Sequence, residues 1–320
     1  MLDTNFKILR EIKNNNQVTQ RDLARKVSVS LGKVNSLLKE YSDLGYINKS
    51  LEGKKVKYEI TELGESVLVD GLDVAMETRI SINEENDISG DVNYAVILAA
   101  GRQKDFNTPT SSLMIGECSI IERTVKMLKS SGIENIVVIV GYKSNILIDI
   151  LSNYDNVNFV YNDEYETSGT MKSLSRVKEV VKNDFLLIES DLVFEEKALN
   201  AVLEAESRDC VLITELSGIG DEAFVEIRNN YVYKISKDIH QFNRIDGELI
   251  GLTKISFNLF NLMLREFELN ENRLVNYEYI LLDVSRKYDI GYVKVNDLTW
   301  GEVDNTSQYE KAKKKFITYC

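Results

Sequence analysis

YAVILAAG, residues 94–101, is an apolar run that ends in a glycine. A run that is apolar at nearly every position is typical of a strand covered on both faces in a parallel sheet. An amphipathic segment, SIIERTVKMLKSSG (119–132), and a second apolar run, NIVVIVG (135–141), follow it. This order predicts two parallel strands joined by a helix, and ligands bind beyond the carboxyl ends of such strands.

The same alternation continues towards the C-terminus. Further strands are predicted in VNFVYND (157–163), DFLLIESDL (184–192), DCVLIT (209–214), ELIGLTKIS (248–256) and GYVKVNDLTWGEVDN (291–305), with a hairpin in EAFVEIRNNYVYKIS (222–236) that turns at Asn229-Asn230. Helices are predicted in SGTMKSLSRVKEVV (168–181), EEKALNAVLEAE (195–206), 256–269 and 276–287. The alternation predicts an α/β fold with a Rossmann-like mixed sheet.

A different pattern occupies the first seventy residues. Three short amphipathic helices are predicted, with Thr19 and Ser30 placed to cap the second and third and Gly45 to end the third. Two strands around a lysine-rich loop follow over 46–61, and a further helix is predicted from Thr61. Two helices joined by a tight turn are helix-turn-helix geometry, and the hairpin corresponds to a wing.

The stretch TQRDLARKVSVSLGKVNSLLKEYSDLGYI (19–47) resembles MarR-like and other bacterial winged-helix regulators. The resemblance implies DNA binding through the recognition helix and the wing. The residues expected at the DNA are Lys33, Asn35 and Ser36 in the groove and Lys54 and Lys55 on the phosphates. Because the recognition helix holds few basic residues, a homodimer is expected. The alternative is a winged helix used only for protein contact or dimerisation.

Charge supports the same division of the chain. Residues 1–65 carry 12 Lys and Arg against 9 Asp and Glu, whereas the whole chain has a net charge of −12. Such a balance argues against a protein that coats nucleic acid and assigns any DNA contact to the first segment. We therefore predict a DNA-binding domain over 1–75, an acidic linker over 76–93 and a catalytic domain over 94–320.

The three cysteines, Cys118, Cys210 and Cys320, lack metal-ligand spacing. Buried or free thiols in a reducing cytoplasm are therefore expected. No apolar run approaches the roughly 20 residues that span a bilayer. These observations predict a cytoplasmic protein that does not contact a membrane.

Several motifs of the C-terminal part resemble the nucleotidyltransferase superfamily, and within it the phosphocholine and 2-aminoethylphosphonate cytidylyltransferases. They are YAVILAAG (94–101), SIIERTVKMLKSSGIENIVVIVGY (119–142), YETSGTMKSL (165–174), FLLIESDLVF (185–194), GDEAFVEI (220–227), GELIGLTKIS (247–256) and WGEVDN (300–305). The resemblance implies transfer of CMP from CTP to a small phospho- or phosphono-amine, with release of pyrophosphate. The resemblance also implies that such products feed the decoration of surface polysaccharides or lipids.

Asp191 and Asp304 are the predicted Mg²⁺ ligands and catalytic residues. Each follows an apolar strand, where an unpaired carboxylate would be costly without a role, and Mg²⁺ prefers carboxylate oxygens near phosphates. The two positions match the metal-binding motifs of the family. Glu189 and Glu302, two residues earlier, are expected close by. Capping or salt-bridged aspartates are the alternative reading.

The loop after the first strand is expected to bind the triphosphate. The backbone amides of Ala99, Ala100 and Gly101 can form an anion site. The family has a proline-lysine pair in this loop, but here Thr110 follows Pro109, so a cation is missing. Arg102, also assigned a catalytic role, and Lys104 are the expected substitutes. The other expected nucleotide contacts are Ser168 and Gly169, near a helix N-terminus, and Lys237.

An amine acceptor requires carboxylates or aromatic faces. The predicted acceptor residues are Glu222, Glu248, Glu278 and Trp300. A transferase acting on a sugar or polyol phosphate is an alternative that these acids disfavour. The altered phosphate loop leaves a second alternative, a transcriptional regulator whose transferase domain senses a nucleotide or a phospho-metabolite.

Overall fold

The computed structural model describes residues 4–15, 18–27, 29–43, 45–52, 55–61, 64, 65, 68, 92–218 and 223–316. The chain divides into two compact units, Met1–Glu84 and Glu85–Cys320. The predicted linker falls almost entirely outside the described residues, as does most of the helix predicted from Thr61.

The first unit has the predicted order of three helices and a hairpin. These are α1 (Thr4–Asn14), α2 (Gln20–Val27), α3 (Leu31–Asp43), β1 (Ile47–Glu52) and β2 (Lys55–Ile60). Both predicted caps are present: the backbone N–H of Asp22 donates to Thr19 Oγ1 at 3.2 Å, and that of Lys33 donates to Ser30 Oγ at 3.2 Å. The strands pair antiparallel, and Glu52 lies opposite Lys55 in the register.

The periodicity of the helices determines which residues form the core of this unit. The buried apolar side chains are Ile8, Leu9, Ile12, Val18, Leu23, Val27, Val34, Leu37, Leu38, Tyr41, Ile47, Tyr58 and Leu68. The opposite face of α3 is exposed and carries Lys33, Asn35 and Ser36. Burial of the apolar stripe therefore leaves a polar face of α3 open to solvent.

The second unit is built on a mixed sheet, as predicted, and this sheet has nine strands. Its strands are β3 (Tyr94–Ala99), β6 (Asn135–Val140), β7 (Val157–Tyr161), β8 (Phe185–Glu189), β10 (Cys210–Thr214), β11 (Phe224–Arg228), β12 (Tyr231–Ser236), β13 (Gly247–Ile255) and β14 (Gly291–Lys294). The order is β12-β11-β13-β8-β3-β6-β7, and β10 pairs with β13 and β14. β3 is parallel to β6 and β8, so their carboxyl ends meet at one edge.

Two small sheets and seven described helices complete this unit. The short strands are β4 (Met114–Ile115), β5 (Cys118–Ser119), β9 (Leu192–Phe194) and β15 (Trp300–Glu302). The helices are α4 (Ile120–Ser130), α5 (Ser144–Leu151), α6 (Thr170–Ser175), α7 (Glu196–Leu203), α8 (Phe257–Glu268), α9 (Tyr277–Ser285) and α10 (Thr306–Phe316). β4 pairs with β5, and β9 pairs with β15.

The cysteines depart from the expectation. Cys210 is free and buried, but Cys118 is disulfide-bonded, so the prediction of thiols is wrong at that position. Spacing along the chain could not show this, because a disulfide depends on which distant segments approach each other. Within the described part of the chain, no helix has the length and apolar character of a membrane span.

Candidate active site

Two adjoining cavities lie at the carboxyl ends of β3 and β8. The loop cavity, of about 180 Å³, is lined by Leu98, Ala99, Ala100, Gly101, Arg102, Gln103, Pro109, Thr110, Ser111, Thr170, Ser173, Glu189, Ser190 and Asp191. The acidic cavity, of about 130 Å³, is lined by Thr170, Glu189, Asp191, Ala223, Lys237, Glu248, Leu249, Gly251, Asn276, Glu278, Glu302 and Asp304. Thr170, Glu189 and Asp191 line both, so the cavities meet at these side chains.

The small β9–β15 sheet brings the two predicted metal ligands to the same place. β8 ends at Glu189, so Asp191 lies in the turn before β9 rather than in a continuous strand. Glu302 pairs with Leu192, and the N–H of Val303 donates to the carbonyl oxygen of Asp191 at 3.0 Å. Residues 191 and 304, more than a hundred positions apart in sequence, are thereby held at one cavity.

The surroundings of Asp191 and Asp304 fit a divalent cation. Burial, and then the Asp304 carboxylate, raise the pKa of Asp191 to about 6. Asp191 Oδ1 is buried without a hydrogen-bond partner, whereas Asp304 Oδ1 accepts from Gln103 Nε2 at 2.7 Å. A cation would neutralise both carboxylates and coordinate the unpartnered oxygen. No group of three or more His, Cys, Asp or Glu residues suited to a metal occurs among the described residues.

Burial and neighbouring acids favour the protonated form of two further carboxyl groups, those of Glu302 and Glu189. Burial raises the pKa of Glu302 to about 8, with Asp191 and Asp304 adding to the effect. Burial and the nearby Asp191, Glu278 and Glu302 raise the pKa of Glu189 well above its usual value. A Cβ at Gly251 of β13 would lie 2.5 Å from Glu189 Cδ. The Glu189 side chain therefore occupies space that only a glycine at 251 leaves open.

The far wall of the acidic cavity carries two of the predicted acceptor residues. Glu248 accepts from the backbone N–H of Ser217 at 2.7 Å and from its hydroxyl at 3.1 Å. Burial raises the pKa of Glu278, and the nearby Lys237 partly opposes this effect. Lys237, which is predicted to contact the nucleotide, lines this cavity and does not line the loop cavity.

Two helix N-termini position Glu278. The N–H of Thr170 donates to Asn276 Oδ1 at 3.2 Å, and the N–H of Tyr277 donates to Thr170 Oγ1 at 3.0 Å. The start of α6 thus holds the start of α9, and Glu278 follows in the first turn of α9. This reciprocal capping supplies partners for N–H groups that a helix start leaves unsatisfied.

The loop after β3 places the predicted anion-binding backbone on the loop cavity. Ala99, Ala100 and Gly101 all line it, as does Arg102, whose guanidinium lies 5.1 Å from the centre of the Tyr142 ring. Lys104 is exposed and does not line the cavity. Arg102 is the one cation among the described residues that line this cavity.

Other predicted residues lie elsewhere. Trp300 packs in the main core with 7% of its surface exposed and does not line the acidic cavity. The backbone N–H of Gly169 donates to the carbonyl oxygen of Arg273 at 2.9 Å. The hydroxyl of Ser168 donates to the backbone carbonyl oxygen of Glu164 at 2.8 Å. Neither lines a cavity, so the structure does not bring these three to the site. Glu222 lies outside the described residues.

Thr170, which the sequence places with Ser168 and Gly169 at a helix N-terminus, lines both cavities. Four further lining residues were missed by sequence reasoning: Gln103, Ser111, Gly251 and Asn276. Asn276 precedes an amphipathic helix, which is a capping signal the sequence does contain. The others depend on which distant segment packs beside them, and no local pattern reveals that.

The predicted DNA-contacting residues of the first unit have a mixed outcome. Lys33, Asn35 and Ser36 are exposed on α3. Lys55 begins β2, and Lys54 lies outside the described residues.

Comparison with known proteins identifies both parts of the chain. Residues 1–48 match the winged helix-turn-helix DNA-binding family, and residues 95–240 match the MobA-like NTP transferase domain. A CTP:phosphoglutamine cytidylyltransferase of Campylobacter jejuni is 21% identical over 68% of this chain and 97% of its own length. A choline-phosphate cytidylyltransferase of Haemophilus influenzae is 28% identical over 69% of this chain and 96% of its own length.

A solved structure supports the same fold. The inositol-1-phosphate CTP transferase of T. maritima superposes with a TM-score of 0.59 at 18% identity, over 72% of this chain and 99% of its own. At this identity the likeness establishes the fold. The chain therefore joins a winged helix-turn-helix domain to a domain with the nucleotidyltransferase fold.

Proposed function

We propose that the second domain transfers CMP from CTP to a small phospho- or phosphono-amine and releases pyrophosphate. The observation that carries this proposal is the meeting of the loop cavity and the acidic cavity at Asp191. CTP in the loop cavity would present its α-phosphorus at the junction. An oxygen of the acceptor would attack it from the acidic cavity, and the bond between the α-phosphorus and the bridging oxygen would break. The names of the two cytidylyltransferase relatives support this assignment.

The main task of such a site is to bring two anions together, so positioning and positive charge matter more than covalent help. Asp191 and Asp304 would hold Mg²⁺, which neutralises phosphate charge when bound. Gln103 orients Asp304 through its hydrogen bond. The amides of residues 99–101 and the Arg102 guanidinium would hold the phosphates of CTP at the other side of the junction.

The acidic cavity favours an acceptor whose cation carries N–H groups. Its described lining combines one cation, Lys237, with the carboxylates of Glu248 and Glu278, and it includes no aromatic side chain. A primary ammonium donates hydrogen bonds to carboxylates, whereas a trimethylammonium has no N–H group and is recognised on aromatic faces. Lys237 would bind the phosphate or phosphonate end of the same molecule.

Turnover with different acceptors tests this assignment. With CTP and Mg²⁺, we expect 2-aminoethylphosphonate to support pyrophosphate release with a kcat/KM about 10-fold or more above that of phosphocholine, since only its ammonium donates hydrogen bonds. Glu278→Gln should lower that kcat/KM about 10-fold while leaving the KM for CTP unchanged. Glu117→Gln, at an exposed turn, is the control and should match the wild type.

Each other outcome counts against a specific part of the proposal. Equal or faster turnover of phosphocholine would overturn the preference for a primary ammonium. Preference for a sugar or polyol phosphate would overturn the amine acceptor. Tight binding of CTP or of an acceptor without turnover of any of them would replace the enzyme with the ligand-sensing regulator.

We propose separately that the first domain binds DNA. The exposed Lys33, Asn35 and Ser36 on α3 and the match to a winged helix-turn-helix DNA-binding family support this proposal. The homodimer remains a prediction.

Binding of the full chain to DNA from upstream of its own gene should weaken as salt rises. Replacing Lys54 and Lys55 by Ala should weaken binding to all sequences and reduce the salt slope by about 2, because each phosphate contact contributes about 0.9. Asn35→Ala should weaken binding only to the preferred sequence. Lys178→Ala, exposed in the second domain, is the control. Binding that is equally strong at low and high salt would contradict the assignment.

A further inference from the structure

Two buried hydroxyl groups in the wall of the loop cavity have no hydrogen-bond partner. Thr110 and Ser111 lie in a 3₁₀ turn, Thr110–Ser112, and are 6% and 2% exposed. Neither Thr110 Oγ1 nor Ser111 Oγ has a partner. Buried polar groups are nearly always hydrogen-bonded, because leaving one unsatisfied is costly. An unpartnered pair at a cavity is therefore expected to have a partner that binds there.

The polar side chains next to the pair are, by contrast, bonded within the protein. The next hydroxyl, that of Ser112, donates to the carbonyl oxygen of Pro109 at 2.7 Å. Ser173, in the wall of the same cavity, accepts from Asn162 Nδ2 at 2.9 Å. The turn itself is closed by its backbone, since the N–H of Ser112 donates to Pro109 at 2.9 Å. The hydroxyls of Thr110 and Ser111 therefore do not stabilise the turn.

We propose that the hydroxyls of Thr110 and Ser111 donate hydrogen bonds to phosphate oxygens of the nucleotide in the loop cavity. This inference rests on the proposed function and concerns the position at which a lysine was expected. The same cavity is lined by the backbone of residues 99–101 and by Arg102, which are groups that bind anions, and it reaches Asp191. A triphosphate presents many acceptor oxygens, so two hydroxyl donors can bond to it at a position that lacks a lysine.

Because the two hydroxyls are unpartnered in the free protein, their removal should affect stability and CTP binding differently. In the free protein Thr110→Val removes a buried hydroxyl that bonds to nothing and keeps the shape of the side chain, so stability should be unchanged or increased. In the complex the same substitution removes a donor from a charged acceptor. The Kd for CTP should then rise about 10-fold for Thr110→Val and about 10-fold for Ser111→Ala. A residue with only a structural role would not combine these two effects.

The experiment measures binding of CTP, pyrophosphate and cytidine to the full chain by calorimetry with Mg²⁺ present, and the Tm of the free protein. Both variants should bind CTP and pyrophosphate about 10-fold more weakly and cytidine as the wild type does. Ser112→Ala is the matched control, because its hydroxyl is already bonded within the turn. That variant should lower the Tm and leave the Kd for CTP within about 2-fold.

Three outcomes would overturn the inference. The first is wild-type affinity for CTP in both variants, or a lowered Tm of the free Thr110→Val protein. The second is a loss of cytidine affinity with pyrophosphate affinity retained, which would move the contact to the base. The third is a wild-type protein that binds neither CTP nor pyrophosphate, and this result would reject the proposed function as well.

Discussion

Asp191→Asn should lower the kcat for pyrophosphate release by at least about 100-fold, because it removes charge from the point where the two cavities meet. Asp304→Asn should have a comparable effect. Asn keeps the shape of the side chain, so the fold should survive. Without one anionic ligand the site should also require a higher Mg²⁺ concentration, which separates loss of metal binding from general damage.

Initial rates at saturating CTP over a range of Mg²⁺ concentrations give this measurement. Asp149→Asn, at an exposed position of α5, provides a control of the same chemistry and should retain the wild-type rate. Unchanged rates in both Asp191→Asn and Asp304→Asn would reject the metal assignment. A drop in rate whose Mg²⁺ dependence stays that of the wild type would assign the two carboxylates a role other than metal binding.

Much of the fold was predictable because local patterns and tertiary packing agree. The run from Tyr94 is apolar since β3 is buried, and the Asn229-Asn230 turn forms at φ values of 51° and 67°, as a two-residue hairpin requires. Two helices were missed. α5 follows Lys143, which has a φ of 44° and makes no side-chain cap, and α10 is largely polar. Neither one presents a start signal together with an apolar stripe.

The site was predictable where a strand end determines it. Asp191 and Asp304 follow apolar strands, and chain direction alone places such residues at the binding edge of the sheet. Trp300 shows the limit of this reasoning. An aromatic residue beside acids suggested an acceptor contact, but apolar area favours burial, and the ring packs in the core instead. The direction of a side chain at the end of a strand depends on the helices and loops that pack over that strand.

Gly251 is a site residue whose role depends on the neighbouring strand, so the sequence alone does not reveal it. Its replacement should lower activity strongly. In Gly251→Ala the new Cβ would lie 2.5 Å from Glu189 Cδ and 2.8 Å from Oε1. The contacts are with the far end of a flexible side chain, so the fold should persist while the carboxylate moves. Glu189 lines both cavities and has Asp191 and Glu278 as charged neighbours, so movement should disturb the site.

We expect kcat/KM of Gly251→Ala to fall about 100-fold, as for other small displacements of site groups, with an unchanged far-UV circular dichroism spectrum. Gly301→Ala is the matched control, because a Cβ at that strand glycine has nothing within 4 Å. If the new methyl acts only by moving Glu189, adding Gly251→Ala to Glu189→Ala should cost little more than Glu189→Ala alone. A fully additive loss would show that the methyl group disturbs the cavity in another way. Activity of Gly251→Ala within about 3-fold of the wild type would mean that the position of Glu189 does not matter for the reaction.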